Sequence, residues 1–172
     1  MSPVCKPVRG FSFVELVAVI AIFGVAAVGV FGALQLGLTR QADGLKQAKV
    51  THLAESYLER VMAHRFDELT PVGGVPPCSP CSPSAAFDDG EAEAQFDDVD
   101  DFDNLVHAPP RAIDGSVLSG YSEYRVEVDV DYLSPAQASA LGVVALSIKR
   151  IEVAITPPGE AAQRFVALKA NF

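Results

Sequence analysis

The densest group of ionisable side chains in this sequence is a run of five aspartates within seven positions: Asp97, Asp98, Asp100, Asp101 and Asp103. Like charges this close cannot fold together without a cation, a basic partner or full solvation. Hard carboxylate oxygens suit Ca²⁺, so a weak extracellular calcium site is one prediction for this run. A solvated acidic loop is the alternative, and the spacing does not follow an EF-hand loop. No other cofactor is predicted.

A second group of side chains that could carry out chemistry is the C-x-x-C formed by Cys78 and Cys81. A redox pair would need a βαβ context and a helix start, whereas prolines flank this pair. A zinc site would need two further ligands, and His64 and His107 are not at ligand spacing with a second His or Cys. We predict a disulfide formed in an oxidising compartment, with redox and zinc roles as the alternatives. The bond would hold a Pro-rich loop in place.

The third group lies near the start of the chain, where a short basic leader ends at Gly10 and an apolar stretch opens at Phe11. From Leu16 to Thr39 the chain carries no charge. As a helix these residues would be roughly 36 Å long, enough to cross a bilayer core of about 30 Å. Glu15 is a carboxylate at the edge of this stretch, where burial in lipid costs free energy unless it has a partner.

Two ordinary explanations compete for this N-terminal pattern. A secretory signal peptide could be cut near Ala26 and Ala27, but its apolar core would have to include Glu15 and would be longer than usual. A plain membrane anchor would leave Glu15 without a role, although the cost of a carboxylate near a helix end is modest.

The sequence Arg9-Gly10-Phe11-Ser12-Phe13-Val14-Glu15-Leu16 resembles the processing site of type IV prepilins and of the related type II secretion pseudopilins. The resemblance implies that a prepilin peptidase cuts between Gly10 and Phe11 and that the new amino group of Phe11 is methylated. It also implies that Glu15 pairs with the Phe11 amine of a neighbouring subunit during assembly. The partners implied are therefore the peptidase, other pilin subunits contacted through the N-terminal helix, and the inner membrane.

Later segments resemble the minor pilins of mannose-sensitive haemagglutinin (MSHA) pili. The residues that carry this likeness are His64-Arg65-Phe66-Asp67-Glu68, the acidic run from Phe96 to Asn104, and the segment from Tyr124 to Tyr132. The likeness implies a minor subunit that primes pilus assembly or sits at the tip. A minor pseudopilin of a type II secretion system is the alternative, because it shares the same anchor.

The helix that begins at Phe11 is predicted to continue beyond the membrane to about Leu69. Apolar residues recur at spacings of three and four through this second half, which marks one apolar face for a globular core. Residues 70–116 follow as a long loop that holds seven of the twelve prolines and ten acidic residues against a single Arg. Loops of this length are uncommon and are usually functional or disordered.

Three strands are predicted after residue 116, at about 124–132, 144–156 and 163–170, with alternating apolar and polar residues. In the second strand the inward set changes phase at Lys149 and Arg150, which predicts a β-bulge. Short connections make the sheet antiparallel. The fold class is therefore α+β and pilin-like: a long N-terminal helix, whose first half spans the membrane, packed on a small antiparallel sheet with a Pro- and Asp-rich loop between them.

The expected organisation is a leader over 1–10, a membrane and assembly helix over 11–39, and a periplasmic domain over 40–172. That domain divides into a helix (40–69), a loop (70–116) and strands (117–172). Lys6 and Arg9 precede the apolar stretch and predict a cytoplasmic N-terminus. The resemblance to prepilins implies a single-pass inner-membrane protein that later reaches the pilus surface. The net charge of −9 gives no support for nucleic-acid binding. No nucleophile–base pair stands out, so no enzyme activity is predicted.

Overall fold

The computed structural model describes residue 10 and residues 12–84 and 90–171. Helix α1 (Phe13–Met62) is followed by an irregular segment that contains strand β1 (Leu105–His107). Strand β2 (Arg125–Tyr132), the short helix α2 (Pro135–Leu141), and strands β3 (Ile148–Thr156) and β4 (Gln163–Ala170) complete the chain. Two 3₁₀ turns, Asp100–Phe102 and Ala145–Ser147, lie before β1 and before β3.

The first part of α1 is an apolar segment in which the large hydrophobic side chains are exposed. Among the described residues, α1 is the one helix that is long and apolar enough to cross a membrane, as judged by length and composition. Soluble proteins rarely expose so large an apolar surface on one helix. This segment therefore fits a lipid environment, as the sequence predicts.

Residues 46–172 form a compact unit of their own. Its described strands make one antiparallel sheet in the order β1-β2-β3-β4, with Val128 opposite Val153 and Val153 opposite Phe165. The inner face of the sheet packs on the second part of α1. Both contribute buried apolar residues to the core: Val50, Leu53, Tyr57, Val61, Val126, Val128, Val130, Ile151, Val153 and Ile155.

The predicted α+β architecture is confirmed, but α1 ends at Met62 rather than near Leu69. The reason is tertiary: the backbone of Arg65 forms a β-bridge to Asp98, which no helical residue could make. Lys169 Nζ donates a hydrogen bond to the carbonyl oxygen of Met62 at 2.9 Å and satisfies one of the free carbonyl groups at the helix end.

The predicted bulge in the second strand is wrong. Within the described residues, β3 pairs with β2 without interruption from Lys149, opposite Tyr132, to Thr156, opposite Arg125. The apparent change of phase arises because Lys149 itself faces the core and is fully buried. Leu146, an apolar residue of the strand predicted at about 144–156, lies instead in a 3₁₀ turn and is exposed.

Two elements were not predicted from the sequence. The short helix α2 carries a complete set of local signals: Ser134 and Gln137 form a capping box, Pro135 opens the helix and Gly142 ends it at φ 69°. These signals were available in the sequence. Strand β1 has only three residues inside the predicted loop, and its pairing with β2 is what defines it.

Candidate functional site

The predicted processing site lies where the chain enters α1. Gly10 is exposed and outside regular secondary structure, and the helix begins three residues later at Phe13. Phe11, the residue predicted to be methylated, lies outside the described residues. A peptidase needs an extended backbone at the bond that it cuts, and the described residues that flank this bond are not helical.

Glu15 lies in the first turn of α1 and is exposed. The first turn of a helix leaves backbone N–H groups without helical partners and carries a partial positive charge, which favours a carboxylate there. A carboxylate in this position can also form an ion pair with a cation, such as the N-terminal amine of another chain. The position of Glu15 is thus compatible with the assembly role implied by the resemblance.

The five aspartates of the acidic run do not converge on one point. Asp97 forms an ion pair with Arg65, whose guanidinium holds the pKa of Asp97 below its ordinary value. Asp101 Oδ2 accepts hydrogen bonds from the backbone N–H of Asp97 (2.8 Å) and of Asp98 (3.0 Å). Asp103 Oδ1 accepts one from the backbone N–H of Val130 at 2.9 Å. These three carboxylates hold the loop to Arg65, to itself and to β2.

The other two aspartates are buried. Asp98 Oδ1 accepts a hydrogen bond from the backbone N–H of Asp100 at 2.7 Å, and burial raises the pKa of Asp98 to about 6. Burial also raises the pKa of Asp100 to about 7, and this carboxyl group contacts Lys149. Cations for the run therefore come from Arg65 and Lys149, which both lie outside residues 70–116.

Part of the run retains metal-ligand geometry. Carboxylate oxygens of Glu68, Asp97 and Asp98 lie within 4.8 Å of one another. Two of these residues belong to the predicted calcium set, whereas Asp100, Asp101 and Asp103 turn toward other partners. Calcium binding by the run stays a prediction, and this trio is the described part of the run that could provide it.

Cys78 and Cys81 are joined in a disulfide with a Cα–Cα distance of 5.0 Å. The side chain of Asn171, which directly follows β4, contacts the backbone of Cys78. It accepts a hydrogen bond from the backbone N–H of Cys78 and donates one to its carbonyl oxygen, both at 3.1 Å. His64 and His107 have other partners, Arg60 and Tyr57 respectively.

The most unusual site of the structure is a charged cluster in the core, centred on Lys149. Its ammonium group lies 2.5 Å from Asp100 Oδ1 and 3.3 Å from Asp67 Oδ2, and it donates a hydrogen bond to the carbonyl oxygen of Phe66 at 2.6 Å. The faces of the Phe66 and Tyr132 rings cover it at 4.4 and 5.2 Å. Lys149 and Asp67 are fully buried.

Asp67 is held by several donors besides the lysine. Its carboxylate accepts hydrogen bonds from the backbone N–H of Leu69 (3.0 Å), the backbone N–H of Ser82 (2.8 Å) and the Ser82 hydroxyl (3.1 Å). Burial alone would raise the pKa of Asp67, but these donors and Lys149 together hold it below its ordinary value. Because Ser82 follows Cys81 directly, the disulfide segment is tied to the same cluster.

The prediction from sequence missed this cluster, although one signal was present. If the alternation of Ile151, Val153 and Ile155 is extended backward by one step, it places Lys149 on the core face of β3. A lysine at such a position requires a buried anionic partner. What the sequence does not reveal is which carboxylates meet it, because Asp67 and Asp100 lie about 80 and 50 positions away.

Comparison with known proteins gives one match. The model of the prokaryotic N-terminal methylation motif matches residues 5–31. The match supports a type IV prepilin-like protein, and this motif marks structural subunits rather than enzymes. No curated protein and no solved structure matches the chain.

Proposed function

We propose that this chain is a minor subunit of a type IV pilus of the MSHA kind, most like the minor pilin MshD. It is made as an inner-membrane prepilin, cut after Gly10 and N-methylated at Phe11. The observation that carries the proposal is the N-terminal methylation motif over residues 5–31, which overlaps the start of an apolar helix of membrane-spanning length, Phe13–Met62. The motif is common to type IV pilins and pseudopilins.

The globular part supports a role as a structural subunit. Its conspicuous ionisable side chains are engaged within the domain: Lys149 with Asp100, Arg65 with Asp97, and buried Tyr57 with His107 at 2.7 Å. Tyr57 and His107 are both less than a tenth exposed, so a substrate has no access to this pair. The disulfide suits a domain that folds in the periplasm and is then carried to the cell surface.

Three features favour a minor MSHA-type pilin over a type II pseudopilin: the His64 to Glu68 segment at the end of α1, the acidic run, and the β2 segment. The proposed role is in starting assembly or forming the tip of the fibre. A pseudopilin role remains the second candidate, because the methylation motif serves both classes equally.

The proposal is tested at the N-terminus of the mature protein. Mass spectrometry of the chain purified from membranes should give a first residue of N-methyl-Phe11. A matched pair of variants strengthens the test: Gly10→Leu should leave the full-length, unmethylated chain, because only Gly presents a backbone without Cβ to the peptidase. Gly24→Leu, inside the helix, should be processed normally. A mature N-terminus near Ala27 would instead indicate a signal peptide and overturn the proposal.

Deletion of the gene for this chain then distinguishes a role in the pilus from a role in type II secretion. Loss of this chain should abolish or sharply reduce MSHA-type surface fibres and leave type II secretion intact. The reverse phenotype would assign the chain to the pseudopilins.

A further inference from the structure

The amine of Lys149 contacts both oxygens of the Asp100 carboxyl group. It is nearly equidistant from both oxygens, at 2.5 Å from Oδ1 and 2.6 Å from Oδ2. An amine this near to both oxygens lies within about 3 Å of the carboxyl carbon between them, so the separation is at or inside the ~3–3.5 Å from which a nucleophile attacks once it approaches the face of the carboxyl group. Among the described residues, Asp100 Oδ1 has no hydrogen bond of ordinary geometry, although the amine touches it.

Burial makes the two charges of this pair costly in free energy. Lys149 is fully buried, and the Asp100 side chain is only 5% exposed. The Phe66 and Tyr132 rings shield the lysine. Two ions in a low-dielectric interior lose a large hydration free energy, and transfer of one proton from the ammonium to the carboxylate removes both charges. A free amine next to an un-ionised carboxylic acid is the reactant pair for an amide.

We propose that Lys149 and Asp100 are the site of an intramolecular isopeptide bond, an amide between Nζ and Cγ that forms after folding. The amine attacks Cγ, one N–C bond forms, one C–O bond breaks, and one water molecule leaves. No electrons change hands and no co-reactant is required. The product is neutral, so it removes a buried charge pair from the core.

Asp67 lies where it can carry the proton in this step. Its Oδ2 lies 3.3 Å from the reacting nitrogen. Its carboxylate is kept ionised by the backbone N–H groups of Leu69 and Ser82, so it can accept the proton that the nitrogen loses. The same proton can then pass to the departing hydroxyl oxygen of Asp100, which leaves as water. Lys149, Asp100 and Asp67 thus form nucleophile, acyl group and proton carrier.

The bond would connect distant parts of the chain. Asp100 lies in the 3₁₀ turn of the acidic loop, and Lys149 lies at the start of β3, 49 positions later. The long loop would then be closed covalently onto β3, one of the two inner strands of the sheet. An extracellular subunit gains resistance to unfolding and proteolysis from such a link, as it does from a disulfide. The inference concerns the globular part alone and does not depend on the proposed pilus role.

The test is the mass of the natural chain. Protein purified from membranes, reduced and alkylated, should have the mass of its processed sequence less one water. Peptide mapping should then find a branched peptide that joins residues 66–111 to residues 126–150, because trypsin does not cut after an acylated lysine. A folded wild-type protein of unmodified mass overturns the proposal.

A loss of water could also come from succinimide formation at Asp89-Gly90 or Asp114-Gly115. Hydroxylamine cleaves a succinimide site and leaves an isopeptide bond intact, and the branched peptide appears only in the second case. Water loss that maps to an Asp-Gly pair would overturn the proposal. The exposed ion pair between Lys46 and Glu160, at 2.9 Å, is an internal control that should remain unlinked.

Four variants separate the roles. Lys149→Arg should abolish the water loss and the branched peptide, whereas Lys46→Arg should retain both. Asp100→Asn should lose ammonia instead of water and reach the same final mass as the wild type. Asp67→Asn should leave the two side chains unlinked in a folded protein, as checked by circular dichroism. If Lys149→Arg does not fold, the wild-type mass and the Asp100→Asn mass still decide the question, and an unlinked Asp100→Asn protein together with an unlinked wild type rejects the bond.

Discussion

Asp98 shows how one side chain can set the pH response of the domain. It is 2% exposed, and burial raises its pKa from 3.8 to about 6. The folded state therefore binds a proton more tightly than the unfolded state. Its contribution to stability is full below about pH 4 and is lost as the pH rises through about 6.

The first prediction uses Asp98→Asn, which keeps the oxygen that accepts the backbone N–H of Asp100. The variant should be more stable than the wild type at pH 7–8 by about 3 kcal/mol, since two pKa units correspond to that free energy. Near pH 3.5 the difference should vanish, because both side chains are then neutral. Urea unfolding of the globular part across this pH range measures it.

Asp114→Asn is the matched control, because Asp114 is an exposed loop aspartate whose pKa is lowered by hydrogen bonds from Ser116. It should give no stabilisation at neutral pH. Equal effects of the two substitutions would mean that net charge, and not burial of Asp98, governs the response.

The second prediction at the residue scale concerns Glu15. If its carboxylate pairs with the Phe11 amine of a neighbouring subunit, Glu15→Ala should be cleaved and methylated normally but should be missing from sheared fibres. Immunoblots of membranes and of fibres report the two steps separately. Glu15→Asp is the control that keeps the charge, and it should restore part of the incorporation. Normal incorporation of Glu15→Ala would show that the carboxylate has no role in assembly.

At the scale of elements, α2 is a seven-residue helix that relies on its two ends. The Ser134 hydroxyl oxygen accepts a hydrogen bond from the backbone N–H of Gln137, and the Gln137 side chain accepts one from the backbone N–H of Ser134. So short a helix has little propensity of its own, so its caps and the buried Ala138 hold it in place.

The third prediction is that Ser134→Ala destabilises the globular part by about 1 kcal/mol, the usual cost of a lost N-cap. Ser139→Ala is the control within the same helix. Ser139 is exposed and not at a cap, so its replacement should change the free energy of unfolding by less than about 0.5 kcal/mol. Chemical denaturation of both variants measures the difference. Similar losses for the two would show that the cap does not stabilise α2.

At the scale of the whole molecule, the chain joins an apolar helical segment to an acidic domain. The net charge is −9 for the full sequence and becomes −11 if Lys6 and Arg9 are removed with the leader. A subunit with this charge would repel copies of itself if it filled a fibre side by side, unless other subunits separate them. That argument supports a low copy number.

The fourth prediction follows from this low copy number. Quantitative mass spectrometry of sheared fibres should find this chain at a small fraction of the major subunit, and deletion of its gene should reduce the number of fibres. A chain that forms the dominant component of the fibre would contradict the minor-subunit proposal.

Much of the architecture was predictable because it depends on local patterns. The stretch from Leu16 to Thr39 is continuously apolar, the later strands are marked by alternating apolar residues, and the α+β fold follows from the order of these elements. The processing motif is local as well, since eight consecutive residues define it. Even α2 was accessible, because its capping residues lie within a few positions of one another.

Only the tertiary structure decided the features that depend on distant residues. The end of α1 is set by a bridge between Arg65 and Asp98, and strand β1 exists through its pairing with β2. The aspartates of the acidic run find their cationic partners in Arg65 and Lys149, which lie in other parts of the chain. A periodic pattern reports which face of a segment is buried, but it does not report what that face meets. The contact between Lys149, Asp67 and Asp100 therefore emerges only once the chain is folded.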